Sequence, residues 1–316
     1  MEKSIALPYD AKKKKRKAIW IKIIRNWQLY VMIAPAVIMI FVFAYLPMAG
    51  AQIAFRDYNP IQGIWGSPWV GLDNFKWFFS IPDAWRLIRN TLVLSGLGIL
   101  LGFSAPIILA LMINEIPSER FKRFVQTVMY APNFISTVVI VSIILTFLNP
   151  RTGAYGLIID AFHLPAVDLL AKPSAFPWIY VLSNIWQYVG FDAIVYLAAL
   201  SGISPDLYEA AKIDGASRLQ KIRHIDIPGI LPVIVILLIL EMSSILGIGF
   251  EKIFLMQNGP NLSTSEVIST YVYKMGLLRA DFSFGTAVGL LNSLVNFLLL
   301  ICANWIAKRT QETSLW

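Results

Sequence analysis

An all-α, polytopic membrane protein with six transmembrane helices is what this sequence predicts, and three observations predict it. Its 316 residues are 57% hydrophobic and only 15% charged, with a mean hydropathy of +0.64, a make-up too apolar for a soluble globule. Six runs carry almost no charge over about 20 residues or more, the length that crosses a hydrocarbon core. Lysine and arginine concentrate in alternate connections between those runs, as orientation in a membrane requires.

The chain opens with a basic segment, 1–26, in which Lys12 to Lys17 supply six bases shortly before the first apolar run. The net charge of +8 therefore reads as an anchor on anionic membrane lipid rather than as a nucleic-acid surface. Spans are expected at about 27–55, 91–113, 124–148, 176–200, 228–250 and 282–307, with 27–316 forming a single membrane domain. Within them every backbone polar group is to be satisfied inside a helix. The first run is too long for the apolar stretch of a secretory signal, so no cleavage is expected at Ala49-Gly50-Ala51. Pro35, Pro47, Pro106, Pro132, Pro177 and Pro232 put a proline in each of the first five spans, where it kinks the helix or frees a carbonyl to line a pathway. Gly98-x-x-x-Gly102 and Gly285-x-x-x-Gly289 have the spacing that lets helices approach closely. Asp192 and Glu241 are the ionisable groups inside these spans, and charge there is costly enough to mark function.

With the N-terminus inside, the cytoplasmic segments hold 18 bases in 72 residues and the external ones 9 in 93. Both termini, and a polar hairpin at 204–227, are thus expected on the cytoplasmic side. The hairpin begins with Ser204-Pro205-Asp206, a helix start that combines a capping hydroxyl, a pre-set φ and an acid at the positive dipole end. A short helix follows to about Ile213, ended by Gly215 in the left-handed conformation. A second helical piece, about Ser217 to Ile225, is expected to turn back before Pro228 starts the next apolar run. Leu207, Ala210 and Ala211 share one face of the first piece, where small side chains admit a partner's surface and Glu209 offers an ionic handle.

Glu209-Ala210-Ala211, three residues, Gly215, nine residues, then Ile225-x-Ile227-Pro228 resembles the signature of the membrane subunits of binding-protein-dependent ABC importers, with Ile227 where leucine is usual. The resemblance implies a type I importer permease fold in which the hairpin is the coupling helix, docked in a groove of an ATPase subunit through Glu209, Ala210, Ala211, Asp214 and Gly215. It also implies a second, homologous permease subunit, two ATPase subunits that hold ATP and magnesium, an extracellular solute-binding protein, and a place in a bacterial cytoplasmic membrane. Tyr45-Leu46-Pro47-Met48, Ile53-Ala54-Phe55-Arg56-Asp57-Tyr58 and Gly63-Ile64-Trp65-Gly66-Ser67-Pro68-Trp69-Val70-Gly71 look like the branch of carbohydrate permeases that imports oligosaccharides of acidic polysaccharides. Trp65, Trp69 and Trp77 are the residues expected to meet the solute-binding protein.

A sugar stripped of water needs polar partners for its hydroxyls and aromatic faces for its rings. Asn184, Gln187, Tyr188 and Phe191 form such a stripe on one side of the fourth span. Counted back from Glu209 without a gap, these positions match sugar-contacting sites of the maltose permease that the chain resembles, although Gln187, Tyr188 and Phe191 differ from it in type. Asn133 and Ser136, after Pro132, fall in a similar matching stretch. The sequence contains no Gly-x-x-x-x-Gly-Lys-Ser/Thr phosphate loop, so ATP hydrolysis is expected elsewhere and this chain is not itself an enzyme. Two histidines, His163 and His224, and the lone Cys302 give little material for a metal site. An amino-acid or peptide permease is the runner-up within importers, against which the Trp-rich first loop argues. A stand-alone ion-coupled transporter, with Asp192 and Glu241 as coupling carboxylates, is the rival outside them.

Overall fold

The computed structural model describes residues 21, 22, 24–243 and 245–311, so the basic run Lys12–Lys17 lies outside the described part. Four continuous helices are long and apolar enough to cross a bilayer: Trp27–Phe55, Ala84–Asn114, Arg218–Met242 and Phe282–Arg309. Two bent pairs bring the number to six if each counts as one span: Glu119–Phe134 with Thr137–Phe147, and Phe176–Ser201 with Pro205–Ile213. Among the described residues there is no strand, only an isolated bridge between Arg56 and Trp69.

Several boundaries differ from the expectation, each for a physical reason. The second span starts at Ala84, earlier than 91, because Arg86 in the added stretch is paired and Arg89 is exposed. Arg86 meets Asp83 at 3.0 Å and Glu266 at 3.2 Å, while Asn90 donates to the carbonyls of Ser263 and Glu266. The third is not one helix: it bends by 98° at Ile135-Ser136, just after Pro132, and Ser136 caps the outgoing piece by accepting from the Val139 amide. The expected reversal before Pro228 is absent. One helix runs from Arg218 to Met242, and the fifth span ends there, well short of 250.

Proline explains how that helix stays continuous. Its missing N–H and its ring disturb the carbonyl four residues earlier, and three prolines here follow a widened π-turn that holds this carbonyl. Phe41–Tyr45 precedes Pro47, Gly98–Phe103 precedes Pro106, and Ile222–Asp226 precedes Pro228. A π-turn shifts the hydrogen-bond register by one, so the ring is taken up without breaking the rod. Pro177 instead sits in the first turn of its helix, where no amide is needed.

The core lies along the second and fourth spans, which meet the short helix Phe250–Met256 at one end and the fifth span at the other. Leu94, Phe176, Val181, Ile253 and Met256 are buried together at one end, and Ala110, Ala193, Tyr196, Leu200 and Ile230 at the other. The sixth span carries a separate cluster, in which Phe284 meets Phe78, Leu87 and Val288, with Trp77 edge-on at 4.6 Å. The first span joins the bundle chiefly through Ala49–Phe55; no residue of Trp27–Met48 is buried.

Only part of the glycine pattern works as a close-approach device. A Cβ on Gly285 would lie 3.0 Å from the Cα of Gly276, whereas Gly98, Gly102 and Gly289 have nothing within 4 Å. The tightest contact is elsewhere: a Cβ on Gly190 would lie 2.0 Å from the Met129 carbonyl oxygen. Gly190→Ala must therefore push apart the third and fourth spans, at a cost of about 1–3 kcal/mol. We expect a clearly lowered unfolding temperature in detergent for Gly190→Ala and a change of less than about 0.5 kcal/mol for Gly98→Ala, which meets open space.

Candidate functional site

The hairpin is built by local rules. Ser204 accepts from the Asp206 amide, Pro205 occupies the first turn, and the helix Pro205–Ile213 ends at Gly215 with φ +69°. Ala216 N–H donates to the Ala211 carbonyl and Gly215 N–H to that of Lys212, the paired bonds that close a left-handed helix end. Ser217 and Gln220 then form a capping box that starts the next helix. Glu209, Ala210, Asp214 and Gly215 are exposed and Ala211 is half-buried. Leu207 and Ile213 are exposed as well, 52% and 87%, so the outer face offers apolar surface beside its charges.

This exposed helix is firmly rooted. Tyr208 donates its hydroxyl to the buried Asp226 at 2.5 Å, joining the hairpin to the base of the fifth span. Burial, and then the adjacent Asp226 carboxylate, push the Tyr208 phenol far above its ordinary range, so it remains a donor at any physiological pH. Glu115 adds longer ion pairs, 3.8 Å to both Arg218 and Lys221. Being partly exposed, these contribute little.

A cavity of about 850 Å³ lies against the fourth span, lined by Asn184, Tyr188, Asp192 and Tyr196 on that helix. Facing them are Glu241 from the fifth span and Phe250, Glu251 and Lys252 from the short helix Phe250–Met256. Of the stripe read from the sequence, Asn184 and Tyr188 thus reach the cavity. Gln187 is buried behind it, donating Nε2–H to the Ile135 carbonyl at 3.3 Å where the third span bends. Phe191 is exposed and meets Phe134 edge-on, Asn133 is half-buried in the turn after Pro132, and Ser136 serves as a helix cap. None of these last three lines the cavity.

Lys252 is the residue that sequence reasoning missed, having been placed in an external loop. It is 4% exposed, and its Nζ donates to Asn184 Oδ1 at 2.8 Å and Gln187 Oε1 at 3.2 Å. The signal was present: Lys252 sits in a largely apolar stretch, Phe250–Met256, just after Gly247 and Gly249 in the irregular segment that follows the fifth span. Asp192 and Glu241 therefore share their cavity with a cation.

An all-helical membrane bundle that carries an exposed, anchored hairpin and a polar cavity has the form of a transport subunit. Residues 98–312 match the family model described as the binding-protein-dependent transport system inner membrane component, and the chain belongs to that family. It is a non-catalytic membrane component of such a system. The polygalacturonan/rhamnogalacturonan transport system permease protein YteP of Bacillus subtilis (strain 168) is 43% identical over 305 residues, 96% of this chain and 95% of that protein. Protein LplB of the same organism is 41% identical over 92% of each chain. In structure, a chain of a bacterial ABC transporter involved in the import of the acidic polysaccharide alginate superposes with a TM-score of 0.87 at 42% identity, covering 93% of this chain and 99% of that one.

The Tyr208–Asp226 bond gives a direct test of how the hairpin is held. Tyr208→Phe leaves a buried carboxylate short of a donor and is expected to cost about 1–3 kcal/mol. Adding Asp226→Leu removes the orphaned group, so the double variant should lose less than the sum of the two single ones in thermal unfolding.

Proposed function

We propose that this chain is the permease subunit of an ABC importer that takes up an oligosaccharide by alternating access, driven by ATP hydrolysis on separate ATPase subunits. The observation that carries the reading is the hairpin, a short helix with an exposed mixed apolar and charged face, fixed at its root to a membrane-spanning rod. Under this reading Glu209, Ala210, Ala211, Asp214 and Gly215 form the contact with the ATPase. Nucleotide binding must favour one arrangement of the membrane helices over another for transport to occur. A rooted hairpin conveys that preference. The cavity beside the fourth span, with Asn184 and Tyr188 on its wall, is where the cargo passes.

Oligosaccharide cargo is supported by the relatives named for polygalacturonan/rhamnogalacturonan transport and by the likeness to the alginate importer. It also fits a cavity that mixes tyrosine rings with amide and carboxylate groups. A second, homologous permease completes the pathway, and the long exposed face of Trp27–Met48 offers it a surface. Trp65 and Trp69, 77% and 62% exposed with Arg56 stacked over both rings, suit contact with an extracellular solute-binding protein. Hairpin and both termini then face the cytoplasm.

Glu209→Ala removes the ionic handle, and Gly215→Pro forbids the positive φ and deletes an N–H donor that closes the helix. Both variants are expected to insert in the membrane normally and to lower uptake in proteoliposomes at least about tenfold, while the ATPase subunits keep hydrolysing ATP. Wild-type uptake by either overturns the assignment. Purification of the intact complex with no ATPase attached favours the ion-coupled alternative.

A further inference from the structure

We propose that Lys252 is an anion-recognition residue of the transport cavity, placed to meet the carboxylate of an acidic sugar ring. The inference rests on the importer reading above and names the class of cargo that this site takes.

A buried ammonium is costly unless a counter-charge accompanies it. Among the described residues no carboxylate lies within 4.0 Å of the Lys252 nitrogen; its partners are the two neutral amide oxygens of Asn184 and Gln187. Those oxygens satisfy two of its three hydrogens. The third has no acceptor among the described residues. Amide oxygens orient a cation without cancelling its charge, so the site holds a positive charge and a free donor at the wall of a cavity of about 850 Å³. A carboxylate supplies the missing acceptor and the missing charge together.

The cation is also held in place before any cargo arrives. Gln187 donates its nitrogen to the Ile135 carbonyl, which turns its oxygen toward Lys252 and fixes the amide in one orientation. Such pre-ordering reduces the entropy lost on binding. Tyr188, one turn along the same wall, presents a partly exposed ring beside which a sugar face can rest. Lys252 is the sole base lining this cavity among the described residues. Asp192 lies eight residues beyond Asn184 on the same helix, about 12 Å along its axis, and Glu241 lines the cavity with it. Glu251, next in the chain to Lys252, also lines the cavity but is exposed to solvent. An anion beside Asn184 therefore meets the cation rather than the Asp192 carboxylate.

The test uses the complete transporter in proteoliposomes, with its partner permease, ATPase subunits and solute-binding protein, and compares uptake of a galacturonate trisaccharide with that of its methyl ester. The wild type is expected to favour the free acid. Lys252→Met, close in length but uncharged, should lower the ratio of free-acid to ester uptake at least about tenfold, while Lys252→Arg keeps the preference. Asn184→Asp places a carboxylate where the amide oxygen now lies, 2.8 Å from Nζ, and should also abolish the preference by quenching the charge; it decides the matter if Lys252→Met fails to assemble. An unchanged acid-to-ester ratio in these variants overturns the proposal. So does an equal loss of both substrates in Lys252→Met that Lys252→Arg does not rescue, the result expected of a mere structural tether. Wild-type uptake of both forms at equal rates, or of neither, overturns this inference alone, whereas a purified complex without ATPase subunits overturns the importer reading beneath it.

Discussion

Lipid offers no hydrogen bonds, and most of the architecture follows from the need to satisfy every backbone group without water. Where the chain is regular, the helix does this itself. Where it is not, side chains from neighbouring spans complete the set. The segment between Met242 and Phe250 leaves the helix, and Ser95 donates to the Ile245 carbonyl, Asn296 accepts from the Leu246 amide, and Asn292 donates to the Leu246 carbonyl. At the other irregular point Gln187 donates to Ile135, just past Pro132. Polar residues that look out of place in an apolar sequence therefore cluster opposite breaks, and the breaks shape the cavity.

The same constraint links the cavity to the hairpin. Phe176–Ser201 is a single helix of 26 residues, about 39 Å long, with Asn184 and Tyr188 on its cavity wall and the hairpin directly after its last turn. Arg218–Met242 leads away from the hairpin and returns to the cavity at Glu241. Tyr208 and Asp226 tie the two rods together at the turn. The exposed helix is thus joined to two cavity walls through continuous helices.

How much of this could be read in advance depends on whether the signal was local. The first helix of the hairpin was legible, since its cap, its first-turn proline and its terminal glycine act within a few residues, whereas the reversal expected at the end of the second piece is absent. The first and sixth spans were legible because hydropathy alone bounds them. The start of the second was hidden by Arg86, a charge made acceptable by a distant partner, Glu266, and by Arg89, which stays exposed. Continuity through Pro228 was hidden because a π-turn has no sequence signature as plain as the proline it accommodates. Lys252 escaped for the same reason as Arg86: one buried cation reads as loop until its acceptors, 65 and 68 residues away, are known. The stripe on the fourth span was found, yet periodicity cannot separate a residue that looks into a cavity, such as Tyr188, from one like Gln187 that mends a neighbour's backbone.

The first span carries a consequence of its own. From Trp27 to Met48 no residue is buried, and it is chiefly Ala49–Phe55 that grips the rest of the bundle. A rod clamped at one end has its tilt set by whatever surrounds it, so this polypeptide does not by itself dictate where its leading helix points.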